Sequence, residues 1–321
     1  MGTKIIRFEH EGLAKWGVYN DGISLIGGNF PTLRALLEKG HEAIKQAKEE
    51  MATIKIEEVK LLSPVTEDAQ IICQGANYST HREESGLEAV KPPYNLLFTK
   101  ASSSLTSSDA EIICPANVQL LDYEIELGLI MKRDIYEPQS ITDDNLADYV
   151  AGFVITNDIS ARDVQILEMQ WFKGKSYRTF CPVGPFIYLI EPDEICYIHQ
   201  LELQLDVNGE CRQLATSDQL LYKPAETLEE MSEIFNLRTG DLILTGTTGG
   251  VGLHLNAEIF KGLNNPSMSH DEKVKYFVQS QQERGYLQDG DHVRLTIKSI
   301  DGAIDLGVQE NKIVHSAKVA Y

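Results

Sequence analysis

Alternating apolar and polar positions mark several runs of this chain as strands, and apolar positions at helical spacing appear in only a few places. Residues 3–26 read as short alternating strands separated by Asn-Asp-Gly and Gly-Gly turns. From Pro31 to Met51 the apolar positions Leu33, Leu36, Leu37, Ile44 and Ala47 recur at helical spacing, with Gly40 as a break or bend. A strand is predicted near 55–62, and Ser63-Pro64-Val65 is the best candidate for a domain boundary. Beyond residue 70 strands dominate. They include Ile71–Gln74, Asn95–Thr99, Asp122–Met131, Val150–Thr156, Gly184–Ile190, Leu201–Val207 with an Asn208-Gly209 hairpin turn, Asp241–Thr245 and His292–Ile297. Helices are predicted from Thr227, where Thr-x-x-Glu to Glu230 forms a capping box, and from Ser269, with Glu272 in the same relation and Gly285 as its stop. The fold class is α+β and mostly β: a small N-terminal domain over 1–65 and a strand-rich, mixed domain over 66–321.

Composition narrows the class. A chain of 321 residues can bury a full core, and its charged and apolar fractions suit a soluble globular protein. No apolar stretch is long enough to span a bilayer, and the N-terminus lacks the apolar region of a secretory signal. Five cysteines without a Cys-x-x-Cys pair point to reduced thiols and a cytoplasmic location. A net charge of −19 argues against nucleic acid and anionic membranes as partners. An anionic substrate would then need a local positive potential, which a metal with clustered Lys and Arg can supply.

Candidate chemistry centres on Leu121-Asp122-Tyr123-Glu124-Ile125-Glu126-Leu127. In a strand, Glu124 and Glu126 point to one side, roughly 7 Å apart along the backbone. Asp158 closes the next strand-like run. Three convergent carboxylates suit Mg²⁺ or Mn²⁺; the competing reading of Glu-x-Glu by itself is the solvated face of an edge strand. After Asp158, Arg162 and Gln165 share a face if the chain turns helical. Lys173 and Lys175 flank Gly174, whose flexibility would let an ammonium reach a cleft; either lysine could equally be solvated. His81 and Glu84 have the i, i+3 spacing by which a carboxylate orients an imidazole. Thr245–Gly252 lacks the lysine and spacing of a P-loop and the order of a dinucleotide fingerprint. It is either an anion-binding nest for a ligand carboxylate or a structural turn. Cys181 beside Pro182 reads as packing.

Taken in order, these motifs resemble the fumarylacetoacetate hydrolase superfamily, in its bacterial-type two-part form. The similarity runs through the whole chain and is densest at 71–85, 96–104, 122–128, 150–185 and 240–252. It implies a mixed β-sandwich roll behind the small N-terminal domain, assembled as a homodimer. It implies Glu124, Glu126 and Asp158 as ligands of Mg²⁺ or Mn²⁺, and Lys175 as the active-site lysine. His81 and Glu84 would be a water-activating pair on a lid, with Glu83 as a rival to Glu84. Lys100, Arg162, Gln165 and Thr247 would contact a small anionic 2-oxo acid. The implied reactions are C–C hydrolysis of an acylpyruvate, decarboxylation of oxaloacetate, and hydration or isomerisation of unsaturated 2-oxo acids. A metal-binding protein without turnover is the alternative from another class. Residues 256–288 form an insertion where a short connection is expected, placed to extend a dimer interface or to cover the site.

Overall fold

The computed structural model describes residues 2–169 and 171–316, and consists mainly of two β-sheets that share one core. The larger has twelve strands. Its main path runs Ile23–Leu25, Leu13–Tyr19, Thr3–His10, Phe186–Leu189, Val150–Asn157, Ile125–Met131, Leu242–Leu244, Ile71–Gly75, Leu96–Lys100. The pairings along it are antiparallel except Leu242–Leu244 on Ile71–Gly75. The smaller sheet orders Glu210–Thr216, Leu201–Val207, His292–Ser299, Asp305–His315 and Ile112–Cys114.

Alternation decides which side chains meet between the sheets. Ile125, Leu127, Leu129 and Met131 face the core shared with Leu203, Leu205, Leu295 and Ile297 of the smaller sheet. Glu126, Gly128 and Ile130 therefore point to the other side, where Ile130 packs with Val154 and Leu244 in a second cluster. A glutamate is thus presented from a strand that is buried on both faces.

Residues 1–65 contribute four strands to the larger sheet, with Thr3–His10 paired directly to Phe186–Leu189. The helical span divides at Gly40 into Leu33–Lys39 and His41–Glu49, as its glycine suggests. The strand expected near 55–62 is shorter. Ile56–Glu58 form a 3₁₀ turn, closed by Val59 N–H on the Ile56 carbonyl, and only Lys60–Leu62 pair with the sheet.

Two helix boundaries also differ. Thr227 is not a cap: the helix spans Pro224–Ile234, with Pro224 in its first turn where no N–H is needed. Thr227 is buried inside it and accepts a 2.8 Å bond from Gln74 Nε2. The second helix has the expected capping box, Ser269 with Glu272, but ends at Ser280. Gly285 lies beyond it, where a Cβ would come within 2.8 Å of the Arg212 guanidinium. Among the described residues no helix is long and apolar enough to cross a membrane.

Candidate active site

Glu124 sits in the break between Leu121–Asp122 and Ile125–Met131, so it enters the site from an irregular residue and not from a continuous strand. The break is held by two exchanges. Glu124 N–H donates to Asn157 Oδ1 at 2.9 Å, and Asp158 N–H to the Glu124 carbonyl at 2.9 Å. Glu126 follows on the strand and Asp158 just past the end of Val150–Asn157. One oxygen from each of the three carboxylates lies within 4.8 Å of the others, and all three residues are buried.

Three cations surround this cluster. Lys175 Nζ bonds Asp158 Oδ2 at 2.6 Å, Glu124 Oε2 at 2.8 Å and Ser160 Oγ at 2.9 Å. Lys100 Nζ bonds Asp158 Oδ1 and, at 3.3 Å, the Ile159 carbonyl. Arg162 reaches Glu124 Oε1 with Nη2 at 2.6 Å, and donates through Nε to Asp122 Oδ2 at 2.7 Å. Its Nη1 donates to Gln165 Oε1 at 2.9 Å, so the helical turn Arg162–Leu167 does place positions 162 and 165 on one face.

Glu124 and Glu126 respond oppositely to these surroundings. Burial raises the pKa of Glu124, but Lys175 and then Arg162 outweigh it and hold this carboxyl far below the usual range. Glu126 is raised well above that range by burial and by the charges of Asp158 and Glu124, against the weaker pull of Lys175 and the Gly246 N–H. Lys175 is raised: burial opposes its charge, and Asp158 and Glu124 more than restore it, so it is an ammonium ion. A buried carboxylate repelled by two others fits a bound divalent cation, and an all-oxygen donor set suits Mg²⁺ or Mn²⁺. With Glu126 ionised and Asp122 counted, the four carboxylates exceed the three cations by one charge. A divalent ion would turn that deficit into one net positive charge, which an anionic substrate needs.

Of the three carboxylates, Glu124 lines a cavity of about 270 Å³; Glu126 and Asp158 lie outside its lining. Glu124, Arg162, Gln165, Lys175, His81 and Thr247 all line it; Lys100 is not among the lining residues. His81 lies on the short helix Ser79–Glu84, with Nδ1 3.9 Å from Glu84 Oε2. That is too long for a hydrogen bond, and both atoms are buried without a partner. Glu83 is exposed, so Glu84 is the acid beside His81. Lys173 is on the surface with Glu168, at 2.5 Å.

Two further local readings change. Gly174 does not serve flexibility: a Cβ there would approach the backbone N and Cα of Gln165 to 2.9 and 3.0 Å. The glycine lets the helix Trp171–Lys175 press against Arg162–Leu167, which seats Lys175. The 245–252 loop is a nest, but its anions are the protein's own carboxylates. Gly246 N–H donates to Glu126 Oε2 at 2.6 Å, Gly250 N–H to Glu84 Oε1 at 2.8 Å, and Gly252 and Leu253 N–H to Asp122 at 2.8 and 3.0 Å.

Asp122 and Gln213 were not singled out in the sequence. Asp122 sits inside the quoted motif, and asking what neutralises Arg162 would have drawn attention to it. Gln213, on a strand of the smaller sheet, accepts from Ile125 N–H at 3.0 Å and donates to Thr247 Oγ1 and the Thr248 carbonyl. Nothing in its local sequence marks it.

The sequence profile of the fumarylacetoacetate (FAA) hydrolase C-terminal domain matches residues 70–314. The chain belongs to this family. Within it, the oxaloacetate tautomerase Fahd2a of Rattus norvegicus, a mitochondrial protein, is 34% identical over 234 residues, 71% of this chain and 72% of that protein. Among solved structures, fumarylacetoacetate hydrolase of Exiguobacterium antarcticum superposes with a TM-score of 0.71 at 27% identity, covering 98% of this chain and 100% of that one. Maleylpyruvate hydrolase of Sphingobium sp. SYK-6, solved with manganese(II) and pyruvate, has the same fold, with a TM-score of 0.71 at 24% identity and the same coverage. The proteins this chain resembles in sequence thus include a tautomerase and a hydrolase.

Proposed function

We propose that this protein is a Mg²⁺- or Mn²⁺-dependent enzyme acting on a small anionic 2-oxo acid, with cleavage of an acylpyruvate C–C bond as its reaction. The observation that carries the reading is a cavity lined by Glu124 of the buried carboxylate cluster, by Lys175 and by His81, whose Nδ1 is without a partner beside the equally unpartnered Oε2 of Glu84. Glu124, Glu126 and Asp158 are the proposed ligands, and the bound ion would supply Lewis acidity toward the substrate's carboxylate and 2-oxo oxygens. Arg162 and Gln165 face the same space and would fix the carboxylate end. His81, oriented by Glu84, would take a proton from a water molecule as that water attacks the distal C4 carbonyl. The C3–C4 bond would then break with its electron pair remaining on the pyruvate fragment as an enolate, and C3 would take up the proton that His81 accepted from the water. Lys175, an ammonium at the cavity floor, stabilises the charge that develops on the C2 oxygen.

A second reading is keto–enol conversion of oxaloacetate, favoured by the identity with the rat tautomerase. It needs the same stabilised enolate but no attacking water. Purified protein is assayed with Mg²⁺ or Mn²⁺ and with chelator, following pyruvate release from acetylpyruvate and loss of enol absorbance from oxaloacetate. Metal-dependent pyruvate release that collapses by about 10² or more in His81→Ala supports hydrolysis. Acceleration of the oxaloacetate reaction alone moves the assignment to tautomerisation, and activity on neither sinks both readings. The homodimer is likewise proposed, and sedimentation of the purified chain tests it.

A further inference from the structure

The cavity has two chemically different ends. Its charged lining residues, Glu124, Arg162 and Lys175, are only 4, 1 and 2% exposed, and His81 beside them 6%, so they form the floor. At the mouth stand Leu87 and Phe260, 42 and 37% exposed. Between floor and mouth the wall is Phe98, Ile166, Trp171, Leu253 and Leu255, with the Phe98 and Trp171 rings edge to face at 5.2 Å. No cation lines the outer half among the described residues. A net charge of −19 makes that half hostile to a second carboxylate.

Phe260 comes from the 256–288 insertion. Asn256 caps its helix, Ala257–Leu263, through a 2.9 Å bond from Ile259 N–H. Ile259 is buried with Leu253, Leu255 and Phe277, and this anchors the helix. Phe260 is held against the end of the lid helix, where a Cβ on Gly86 would come within 2.9 Å of its ring. The insertion therefore supplies one of the two apolar residues at the mouth.

We propose that the site selects a 2-oxo acid carrying one carboxylate and an apolar far end, an alkyl or aryl acyl group, and that Phe260 limits the length of that group. This rests on the 2-oxo acid reading above and specifies its substrate class. Burial of each added methylene should tighten binding about fourfold until the chain meets Phe260. A far carboxylate should forfeit that gain, because no cation among the described residues lines the outer half to offset its desolvation.

The test is calorimetric binding of non-cleavable acids to the intact, Mg²⁺-loaded protein: 2-oxobutyrate, 2-oxohexanoate, 2-oxooctanoate and 2-oxoadipate. The expected result is affinity rising from 2-oxobutyrate to 2-oxohexanoate and levelling off at 2-oxooctanoate, with 2-oxohexanoate about tenfold or more tighter than 2-oxoadipate. Phe260→Ala should extend the length over which affinity still rises, and Phe260→Trp should shorten it. Equal or tighter binding of 2-oxoadipate overturns this inference while leaving the 2-oxo acid site intact. An unchanged length limit in both variants overturns the role of Phe260. Binding of none of the acids overturns the underlying reading instead.

Discussion

Glu126 and Asp122 show how differently two buried acids can serve one site. Glu126 has a raised pKa because it is desolvated beside Asp158 and Glu124. An acid with a folded-state pKa above its unfolded one stabilises the fold fully at low pH and loses that contribution as pH rises through the folded value. Glu126→Gln should therefore melt higher than the parent in chelator, by a margin that widens from about pH 5 upward, and should show no rise in Tm on adding Mg²⁺. Melting curves across pH with and without metal check both; a Gln variant still stabilised by Mg²⁺ would remove Glu126 from the ligand set. Asp122 works at one remove, gripping Arg162 and the Gly252 and Leu253 N–H groups. Asp122→Asn should raise KM more than it lowers kcat, consistent with about 1–3 kcal/mol of lost charge-assisted bonding that positions Arg162. Equal losses in both would make it merely structural. At this scale the sequence was legible where carboxylates cluster within one run, as at Glu124 and Glu126. Local spacing by itself did not choose where distant partners decide: the family resemblance pointed to Lys175, and the fold, by burying Lys175 and exposing Lys173 and Glu83, sets Lys175 over Lys173 and Glu84 over Glu83.

Among the elements, strands with one face on the core were readable because alternation survives in them; Leu201–Val207 alternates without a fault. The interruption at Tyr123-Glu124 was not, since it depends on the Asn157 side chain from the neighbouring strand. Thr227 and Ser269 carry the same capping pattern, yet only Ser269 uses it, because Pro224 has already started the other helix. Gly174 illustrates packing that composition disguises as flexibility. Gly174→Ala should cost about 1–3 kcal/mol by overpacking against the Gln165 backbone, and should lower kcat by displacing Lys175. Chemical denaturation paired with steady-state kinetics tests this. A variant with full stability and activity would show that the two helices can part without consequence.

For the molecule as a whole, the N-terminal strands are hydrogen-bonded into the larger sheet, and a polar link adds to that attachment. Asp134 accepts from Arg34 Nη2 at 2.8 Å, Thr239 N–H at 2.8 Å and Tyr136 Oη at 2.7 Å. Burial raises its pKa, but these donors outweigh it and bring the carboxyl down to about 2. A depressed acid stabilises the fold above its unfolded pKa and loses that contribution as pH falls through the folded one. Asp134→Ala should thus cost about 1 kcal/mol near neutrality, a figure discounted for solvent screening, and the difference from the parent should vanish between about pH 4 and pH 2. Denaturation at stepped pH measures it, and a constant difference would discount the charge.

The glycine loop has one more consequence. Its Gly250 N–H holds Glu84 of the proposed lid, and four residues away its Gly246 N–H holds the ligand candidate Glu126. A displacement of the lid therefore strains the same short stretch of backbone that aims a metal-binding oxygen. Ion affinity and lid closure become reciprocal quantities: whatever factor closure adds to the affinity for Mg²⁺, Mg²⁺ must add to the population of the closed lid. Amide exchange at Ser79–Glu84 should slow when Mg²⁺ is added, and Glu84→Ala, which frees the loop from the lid, should weaken ion binding although Glu84 is not among the proposed ligands. The lid would then report on the ion as well as on the substrate.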